Sequence, residues 1–216
     1  MYGPLGMFGG AFDPPHLGHL IVARDVLERL RLDRLLIVPT ARPPHREVIL
    51  PAEDRLRLVR KACAGEPGFE VCDAEFHRSG PSYTVDTLAW IRATYAPAEL
   101  YCIIGGDQFR LFSSWHRHDR ILQLATMVVM TRAGDEPLGS EARIPHVAVE
   151  VTRVDLSSTR IRERLVHGRS IRYLVPDAIL GDVEGLWRKR GVREAALAES
   201  GAREGTQSAP ASGAIE

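Results

Sequence analysis

Lysine is nearly absent from the sequence. Lys61 and Lys189 are the only lysines among 28 basic side chains, and arginine supplies the rest. Genome composition bias is enough to explain this imbalance, yet it has a chemical consequence. An enzyme that carries a nucleotide on a lysine has almost no candidate here, because both lysines lie in charged, helix-like surroundings.

The sequence also has no excess of either charge, since 28 basic side chains balance 28 acidic ones. Proteins that coat nucleic acid through bulk charge are strongly basic, so we expect no nucleic-acid partner. No apolar run approaches the roughly 18 consecutive residues that cross a membrane. The N-terminus has no charged lead followed by a long apolar stretch. These absences predict a soluble, cytoplasmic protein with no membrane partner.

Cysteine is scarce as well. Cys63, Cys72 and Cys102 are odd in number and lack the spacing of a metal site. They therefore predict neither a disulfide framework nor a zinc cluster. A reducing cytoplasm suits such cysteines best.

What the sequence does contain is an alternation of short apolar runs with amphipathic segments, the pattern of a parallel sheet covered by helices. Runs this apolar are typical of strands buried on both faces. We therefore predict an α/β, Rossmann-like fold with a mostly parallel sheet of about six strands and helices on both faces. The predicted strands are Leu5–Phe8, Leu35–Val38, Phe69–Cys72, Leu100–Ile104, Met127–Met130 and Val147–Val151.

Helical patterns fill the intervals between these strands. Two apolar faces stand out, one made by Leu20, Ala23, Leu27 and Leu30 and the other by Leu56, Val59 and Cys63. Capping side chains mark three further helix starts. These are Thr84 for a helix reaching about Ala93, Ser157 or Ser158 for a helix carrying Ile161 and Leu165, and Asp177 for a helix carrying Leu180, Val183 and Trp187.

The folded domain is predicted to cover residues 1–193. From about Glu194 the chain turns to Ala, Gly, Ser and Glu with little periodicity, which predicts a disordered tail over residues 194–216. Two connections, Pro39–Pro51 and Arg132–Pro145, are longer than a link between elements requires. Such loops often handle substrate, although a plain surface excursion explains the second equally well.

A segment rich in glycine and histidine, Gly9–His19, follows the first predicted strand and opens a helix. Gly9 and Gly10 let the backbone approach a ligand without a Cβ clash. The N–H groups at the helix start then face an anion. The segment is neither the Rossmann glycine fingerprint nor a Walker A loop, because the spacing and the lysine of those motifs are missing.

His16 and His19 are three residues apart and share a face on a first helical turn. They fit donors to a polyphosphate, capping residues or zinc ligands. Zinc needs further ligands, and no Cys or carboxylate is spaced to supply them. Phosphate binding is favoured because the glycine turn lies beside them. A polyphosphate stabilises the imidazolium, which predicts raised pKa values for both histidines in the complex.

A second segment, Leu156–Arg162, places three hydroxyls at a helix start beside unused backbone N–H groups. Arg162 lies one turn beyond Ser158, so both side chains can reach the same oxyanion. Residues 152–172 hold six arginines against two acidic residues, a local positive field in a neutral protein. Alone the segment fits a solvated, well-capped helix equally well. Beside the histidine segment it predicts the second half of a triphosphate clamp.

These two segments resemble the paired signatures of the nucleotidyltransferase superfamily with the HxGH motif. Further segments resemble bacterial nicotinate mononucleotide adenylyltransferases, and the similarity runs from about residue 5 to residue 176. They are Pro43–Arg46, similar to the substrate-phosphate loop; Ser82–Leu88, similar to the pyridine-recognition segment; Ile104–Asp107 with Trp115, similar to the ribose and ring contacts; and Arg132, similar to an arginine near ATP. Ala11 departs from a frequent threonine of the family and Gly106 from a common alanine.

The resemblance implies direct, in-line transfer of AMP from ATP to nicotinate mononucleotide, releasing pyrophosphate and giving nicotinate adenine dinucleotide. His16, His19 and Arg162 are the expected catalytic residues. The expected ATP-binding residues are Gly9, Gly10, Ala11, Phe12, His16, His19, Gly105, Asp107, Arg132, Ser157, Ser158, Thr159 and Arg162. The expected mononucleotide-binding residues are His45, Arg46, Tyr83, Thr84, Asp107 and Trp115. Magnesium is expected on the ATP phosphates, with no metal site in the protein.

The same chemistry could use another acceptor, such as nicotinamide mononucleotide, phosphopantetheine or a flavin phosphate. Trp115 can stack on a pyridine, and the N–H groups of Tyr83 and Thr84 at a helix start can receive its carboxylate. Two other classes remain open. One is a nucleotide-sensing or RNA-binding module, although an aromatic stacking surface is missing. The other is a zinc hydrolase using His16 and His19. The sequence is compatible with a homo-oligomer.

Overall fold

The computed structural model describes residues 3–44, 47–132, 134, 139 and 143–204, with side chains to residue 191. Its six strands are β1 (Leu5–Gly10), β2 (Arg34–Pro39), β3 (Phe69–Val71), β4 (Leu100–Gly105), β5 (Thr126–Thr131) and β6 (Val147–Glu150). Its helices are α1 (Leu17–Arg29), α2 (Ala52–Ala62), α3 (Thr84–Tyr95), α4 (Gly106–Arg110), α5 (His118–Leu124), α6 (Ser158–Val166) and α7 (Asp177–Glu204). Short 3₁₀ helices cover Ala74–His77 and Phe112–Ser114.

All six predicted strands are confirmed, and they form one sheet in the order β3-β2-β1-β4-β5-β6. Every pairing in it is parallel. Strand order therefore reverses between β1 and β4, which is the topological switch point of a Rossmann-like fold. Ligands of such sheets bind outside the carboxyl ends of the strands at this point.

The core lies on both faces of the sheet because side chains alternate along each strand. Met7 and Leu36 point into the layer formed with α3 and α5, whereas Phe8 and Leu35 point into the layer formed with α1 and α2. A third apolar cluster joins α2, α6 and α7. The prediction of helices on both faces is confirmed, and the third cluster fixes α6 beside α2.

One predicted helix start is wrong. Thr84 does not cap α3: the N-cap is Tyr83, which has extended backbone and makes no side-chain cap bond, so Thr84 is the first helical residue. The predicted apolar face of α1 is confirmed, because Ala23 is buried in the core and Leu20, Leu27 and Leu30 pack against it. The predicted cap at Ser157 is confirmed, since its Oγ accepts a hydrogen bond from the N–H of Arg160 at 3.2 Å.

The last helix differs from its predicted limits at both ends. Asp177 is its first helical residue rather than a residue preceding it, and the helix continues to Glu204, past the predicted domain end at residue 193. Residues 205–216 lie outside the described chain, so the division into domain and tail stays a prediction. Within the described residues, no helix is both long and apolar enough to span a membrane.

Candidate functional site

The glycine turn lies at the switch point, where β1 ends at Gly10. A Cβ on Gly9 would meet nothing closer than 3.7 Å, so packing does not require this glycine, and its bare backbone is open to a ligand. A Cβ on Gly10 would approach the ring of Phe12 to 3.1 Å. Phe12 itself is buried and has a positive φ of 48°. Its ring belongs to the core, so only its backbone can contact a phosphate.

The two histidines lie directly beyond this turn. His16 is the N-cap of α1, and its ring stacks on the ring of His19 with centroids 3.6 Å apart. The N–H of His16 donates to Nδ1 of His19 at 3.2 Å. The neutral His19 ring must therefore carry its proton on Nε2, which makes that atom a hydrogen-bond donor.

His16 has a different environment, because its side chain is 5% exposed and its Nδ1 lacks a hydrogen-bond partner among the described atoms. Burial lowers the pKa of His16 to about 4, so the ligand-free ring is neutral at neutral pH. The raised pKa values that the sequence predicts for both histidines in the polyphosphate complex stay a prediction. Packing explains why position 18 is a glycine, because a Cβ there would come within 3.1 Å of His16 Nδ1.

The late segment meets the early one, as the sequence predicts. Ser158 donates from Oγ to the carbonyl of Pro14 at 2.9 Å, and Arg162 donates from Nη1 to the carbonyl of Asp13 at 2.7 Å. These bonds join residues 144 and 149 positions apart. Arg162 also donates to Oγ1 of Thr159 at 3.1 Å. The first turn of α6, with N–H groups that the helix leaves unused, therefore lies beside the histidine turn.

The carboxyl end of β4 provides the next part of the site. A Cβ on Gly105 would lie 2.6 Å from Oδ1 of Asp107, so a larger residue there would displace this exposed carboxylate. Asp107 is exposed in the first turn of α4, while Gly106 is unhindered apart from a carbonyl at 3.9 Å. Arg132 is also exposed and follows β5 at the same edge of the sheet.

Three aromatic side chains, Tyr83, Trp115 and His116, form an aromatic group on the α3–α5 side of the sheet. Trp115 is half-buried, and its ring centroid lies 5.7 Å from that of the buried Phe112. Tyr83 stacks on His116 with centroids 4.2 Å apart, and both Tyr83 and Trp115 pack against the same core cluster. His116 was missed by sequence reasoning because an exposed histidine in a turn carries no periodic or motif signal.

Asp13 and Arg55 are two buried charged residues behind the glycine turn. Asp13 accepts hydrogen bonds from the N–H groups of Ile49 at 2.6 Å and Leu50 at 2.9 Å, so its carboxylate anchors the end of the 39–51 loop. Sequence reasoning missed Arg55. Its spacing to Leu58, three residues on along the buried face of α2, was the available signal.

Two predicted site residues, His45 and Arg46, lie outside the described residues, so their contact with a substrate phosphate stays a prediction. Between residues 3 and 191, in the described part, no group of three or more His, Cys, Asp or Glu side chains could hold a metal ion. Cys63, Cys72 and Cys102 are buried free thiols.

Known proteins match most of this chain. Residues 7–164 match the model of the family described as Cytidylyltransferase-like. A protein named "Probable nicotinate-nucleotide adenylyltransferase" from Thermus thermophilus is 46% identical over 186 residues, covering 85% of this chain and 99% of that protein. One of the same name from Geobacillus thermodenitrificans is 43% identical over 179 residues, covering 82% of each chain.

Among solved structures, Plasmodium falciparum nicotinic acid mononucleotide adenylyltransferase complexed with NaAD has a TM-score of 0.70. The match covers 90% of this chain and 98% of that one. Its sequence identity is 14%, so it supports the fold alone. The family-model match over residues 7–164, in contrast, covers the segments that build both halves of the site.

Proposed function

The chain belongs to the nicotinate-nucleotide adenylyltransferase family, and from this premise we propose that it transfers AMP from ATP to nicotinate mononucleotide. The products are pyrophosphate and nicotinate adenine dinucleotide, a step of NAD biosynthesis. The observation that carries the proposal is the contact of Ser158 and Arg162 with the Asp13–Pro14 turn, which brings both expected phosphate-binding segments to one place.

The reaction is a direct in-line displacement. The 5′-phosphate of the mononucleotide attacks the α-phosphorus of ATP, the new P–O bond forms, and the bond to pyrophosphate breaks. The nucleophile is already an anion, so no strong general base is required. The protein must align two anions that repel each other and stabilise the charge that moves onto the leaving group.

His19 and Arg162 are the residues proposed to act on that charge, with His16 beside them. The Nε2–H of His19 is a donor of fixed tautomer, and Arg162 is held by Asp13 and Thr159 at the start of α6. The ATP-binding set is completed by backbone groups of the glycine turn and by hydroxyls of α6. Its other proposed members are Gly9, Gly10, Ala11, Phe12, Gly105, Asp107, Arg132, Ser157, Ser158 and Thr159.

The acceptor is proposed to lie against the aromatic group. Trp115 offers a ring face, and the N–H groups of Tyr83 and Thr84 lie at the N-terminal end of α3, where the helix dipole favours a carboxylate. Asp107, at the end of β4, is proposed to accept ribose hydroxyls. His45 and Arg46 are proposed for the mononucleotide phosphate.

Magnesium is proposed to arrive with ATP, bound to phosphate oxygens and water. Asp13 is not a proposed magnesium ligand, because both of its carboxylate oxygens already accept hydrogen bonds from backbone N–H groups. A cytoplasmic location is proposed on the three buried, unpaired cysteines, which a reducing compartment maintains.

The test is release of pyrophosphate from ATP with each acceptor in turn. We expect turnover with nicotinate mononucleotide, little with nicotinamide mononucleotide, and none with phosphopantetheine or without acceptor. Equal turnover with both pyridine mononucleotides would contradict the carboxylate contact. No pyrophosphate with any acceptor, from folded protein that binds ATP, would contradict the transferase itself.

A further inference from the structure

We propose that Arg55 and Glu75 are positioning residues. Together they hold the turn at residues 9–12 (the ATP turn), the two ends of the 39–51 loop and helix α3 at the separation that transfer requires. The inference rests on the proposed function, because it assigns the first of these segments to ATP and the others to the acceptor. Neither residue belongs to a motif of the family resemblance.

Arg55 is fully buried, and its guanidinium donates hydrogen bonds to carbonyl groups of three separate segments. Nη1 donates to the carbonyls of Ala11 at 2.7 Å and Thr40 at 2.6 Å, and Nη2 donates to the carbonyl of Ala41 at 3.2 Å. Nε donates to the carbonyl of Leu50 at 3.1 Å. One rigid, planar fork therefore ties the ATP turn to both ends of the loop.

Glu75 extends this connection to the acceptor side, and its side chain is 6% exposed. Oε2 accepts the N–H of Ala41 at 3.2 Å, and Oε1 accepts the hydroxyl of Thr87 at 2.8 Å. Thr87 lies in the first turns of α3, just after Tyr83, and its Oγ1 also accepts from Arg78 at 2.7 Å. Ala41 is thus held by Arg55 through its carbonyl and by Glu75 through its N–H.

Stability alone gives no reason to keep this pair. Buried charges are costly to desolvate, and apolar residues of similar volume are often as good or better for stability. Every bond described here instead ends on backbone or on a hydroxyl of a segment that faces substrate. The network fixes relative positions that apolar packing would leave adjustable.

Those positions matter because the attacking oxygen must lie in line with the α-phosphorus. A misplacement of about 1 Å lowers a rate by about 100-fold. Loosening the network should therefore reduce turnover more than it reduces binding of either substrate alone. It should also reduce the cooperation between the two substrates, since the segments that bind them would move independently.

The decisive variant is Arg55→Lys, which keeps the charge but loses the fork, and its matched control is Arg57→Lys. Arg57 lies on the same helix and contacts Asp54 and Asp182 on the surface. Glu75→Gln and Thr87→Val test the acceptor end. Each protein is purified, its melting temperature recorded, and its kcat and both KM values measured. Calorimetry gives the affinity for nicotinate mononucleotide with and without a non-hydrolysable ATP analogue.

For Arg55→Lys we expect kcat to fall about 10- to 100-fold, the affinity for the ATP analogue alone to change less than threefold, and the gain in mononucleotide affinity caused by the analogue to disappear. Thr87→Val should also lower kcat, raise KM for the mononucleotide by a smaller factor, and leave KM for ATP unchanged. Arg57→Lys should match wild type in all kinetic values.

A purely structural role predicts lower melting temperatures with kcat per folded molecule unchanged, and that result would overturn the inference. Should Arg55→Lys and Glu75→Gln fail to fold, Thr87→Val decides: equal shifts in both KM values, or none, would overturn it. An inactive wild type would instead refute the proposed function, so the two failures are distinguishable.

Discussion

The two halves of the candidate site are built differently. On the ATP side, Asp13 and His16 are buried, and hydrogen bonds from α6 close the turn across 144 and 149 positions of sequence. On the acceptor side, His116 is exposed and Trp115 is half-buried. The side proposed to hold the phosphates is preorganised, as stabilisation of developing charge requires, while the side proposed for the acceptor is open to solvent.

The largest effect is expected for His19→Ala on the preorganised side. Removing one donor from a developing charge lowers a rate by about 100- to 1,000-fold, while the remaining groups still bind ATP. Steady-state kinetics with calorimetry of an ATP analogue should therefore show a low kcat at nearly unchanged affinity. A change confined to KM would contradict the role assigned to His19.

The second effect is a pH dependence of stability that comes from burial of His16. Its folded pKa of about 4 lies below the ordinary 6.5, so between these values the unfolded chain binds a proton that the folded protein does not. The contribution is complete above pH 6.5 and is lost as the pH falls toward 4, by about 3 kcal/mol in all. Urea unfolding of wild type and His16→Gln at pH 7 and pH 4.5 measures it.

Wild type should lose more stability than His16→Gln over this interval. Parallel curves for wild type and His16→Gln would mean that the ring is solvated, and the ATP side would then be less closed than its geometry indicates.

A third prediction concerns the capping hydroxyls of α6. Ser157→Ala removes the side-chain cap and should cost about 1 kcal/mol of unfolding free energy, with a smaller rise in KM for ATP than Ser158→Ala gives. Ser158→Ala breaks the bond to Pro14 and should act mainly on KM for ATP. Urea titration and kinetics on both variants test whether Ser157 acts mainly on stability and Ser158 mainly on ATP binding. Equal changes of unfolding free energy and of KM for ATP in the two variants would refute this difference.

The smallest effect is expected on the acceptor side, for Trp115→Leu. Loss of ring stacking is worth about 0.5–1.5 kcal/mol, which should raise KM for nicotinate mononucleotide several-fold and leave KM for ATP unchanged. Trp90→Leu is the control, since Trp90 is an exposed tryptophan on α3. A rise in KM for ATP would mean that Trp115 supports the whole site rather than the acceptor.

The same contrast explains what the sequence could predict. The strands were recognisable because both faces are buried, so their apolar runs are continuous. The histidine and Ser–Arg segments were recognisable because they combine fixed spacing with an element boundary. The cap at Thr84 was predicted wrongly because the choice between two adjacent residues depends on the extended backbone of Tyr83.

The anchors of the 39–51 loop could not be predicted in the same way. Asp13 bonds to residues 36 and 37 positions away, and Arg55 bonds to a carbonyl 44 positions away. Bonds between a side chain and distant backbone leave no periodic pattern, because almost any residue can supply the carbonyl or N–H. His116 was missed for a related reason, since its stacking on Tyr83 joins two turns that only the fold brings together.

A crystal structure with a non-hydrolysable ATP analogue and nicotinate mononucleotide tests the arrangement most directly. One triphosphate should contact His19 Nε2 and the first turn of α6 with Arg162 on opposite sides, and the pyridine ring should lie on Trp115. A triphosphate bound elsewhere, or bound by only one of the two segments, would contradict the shared phosphate site on which the proposed reaction depends.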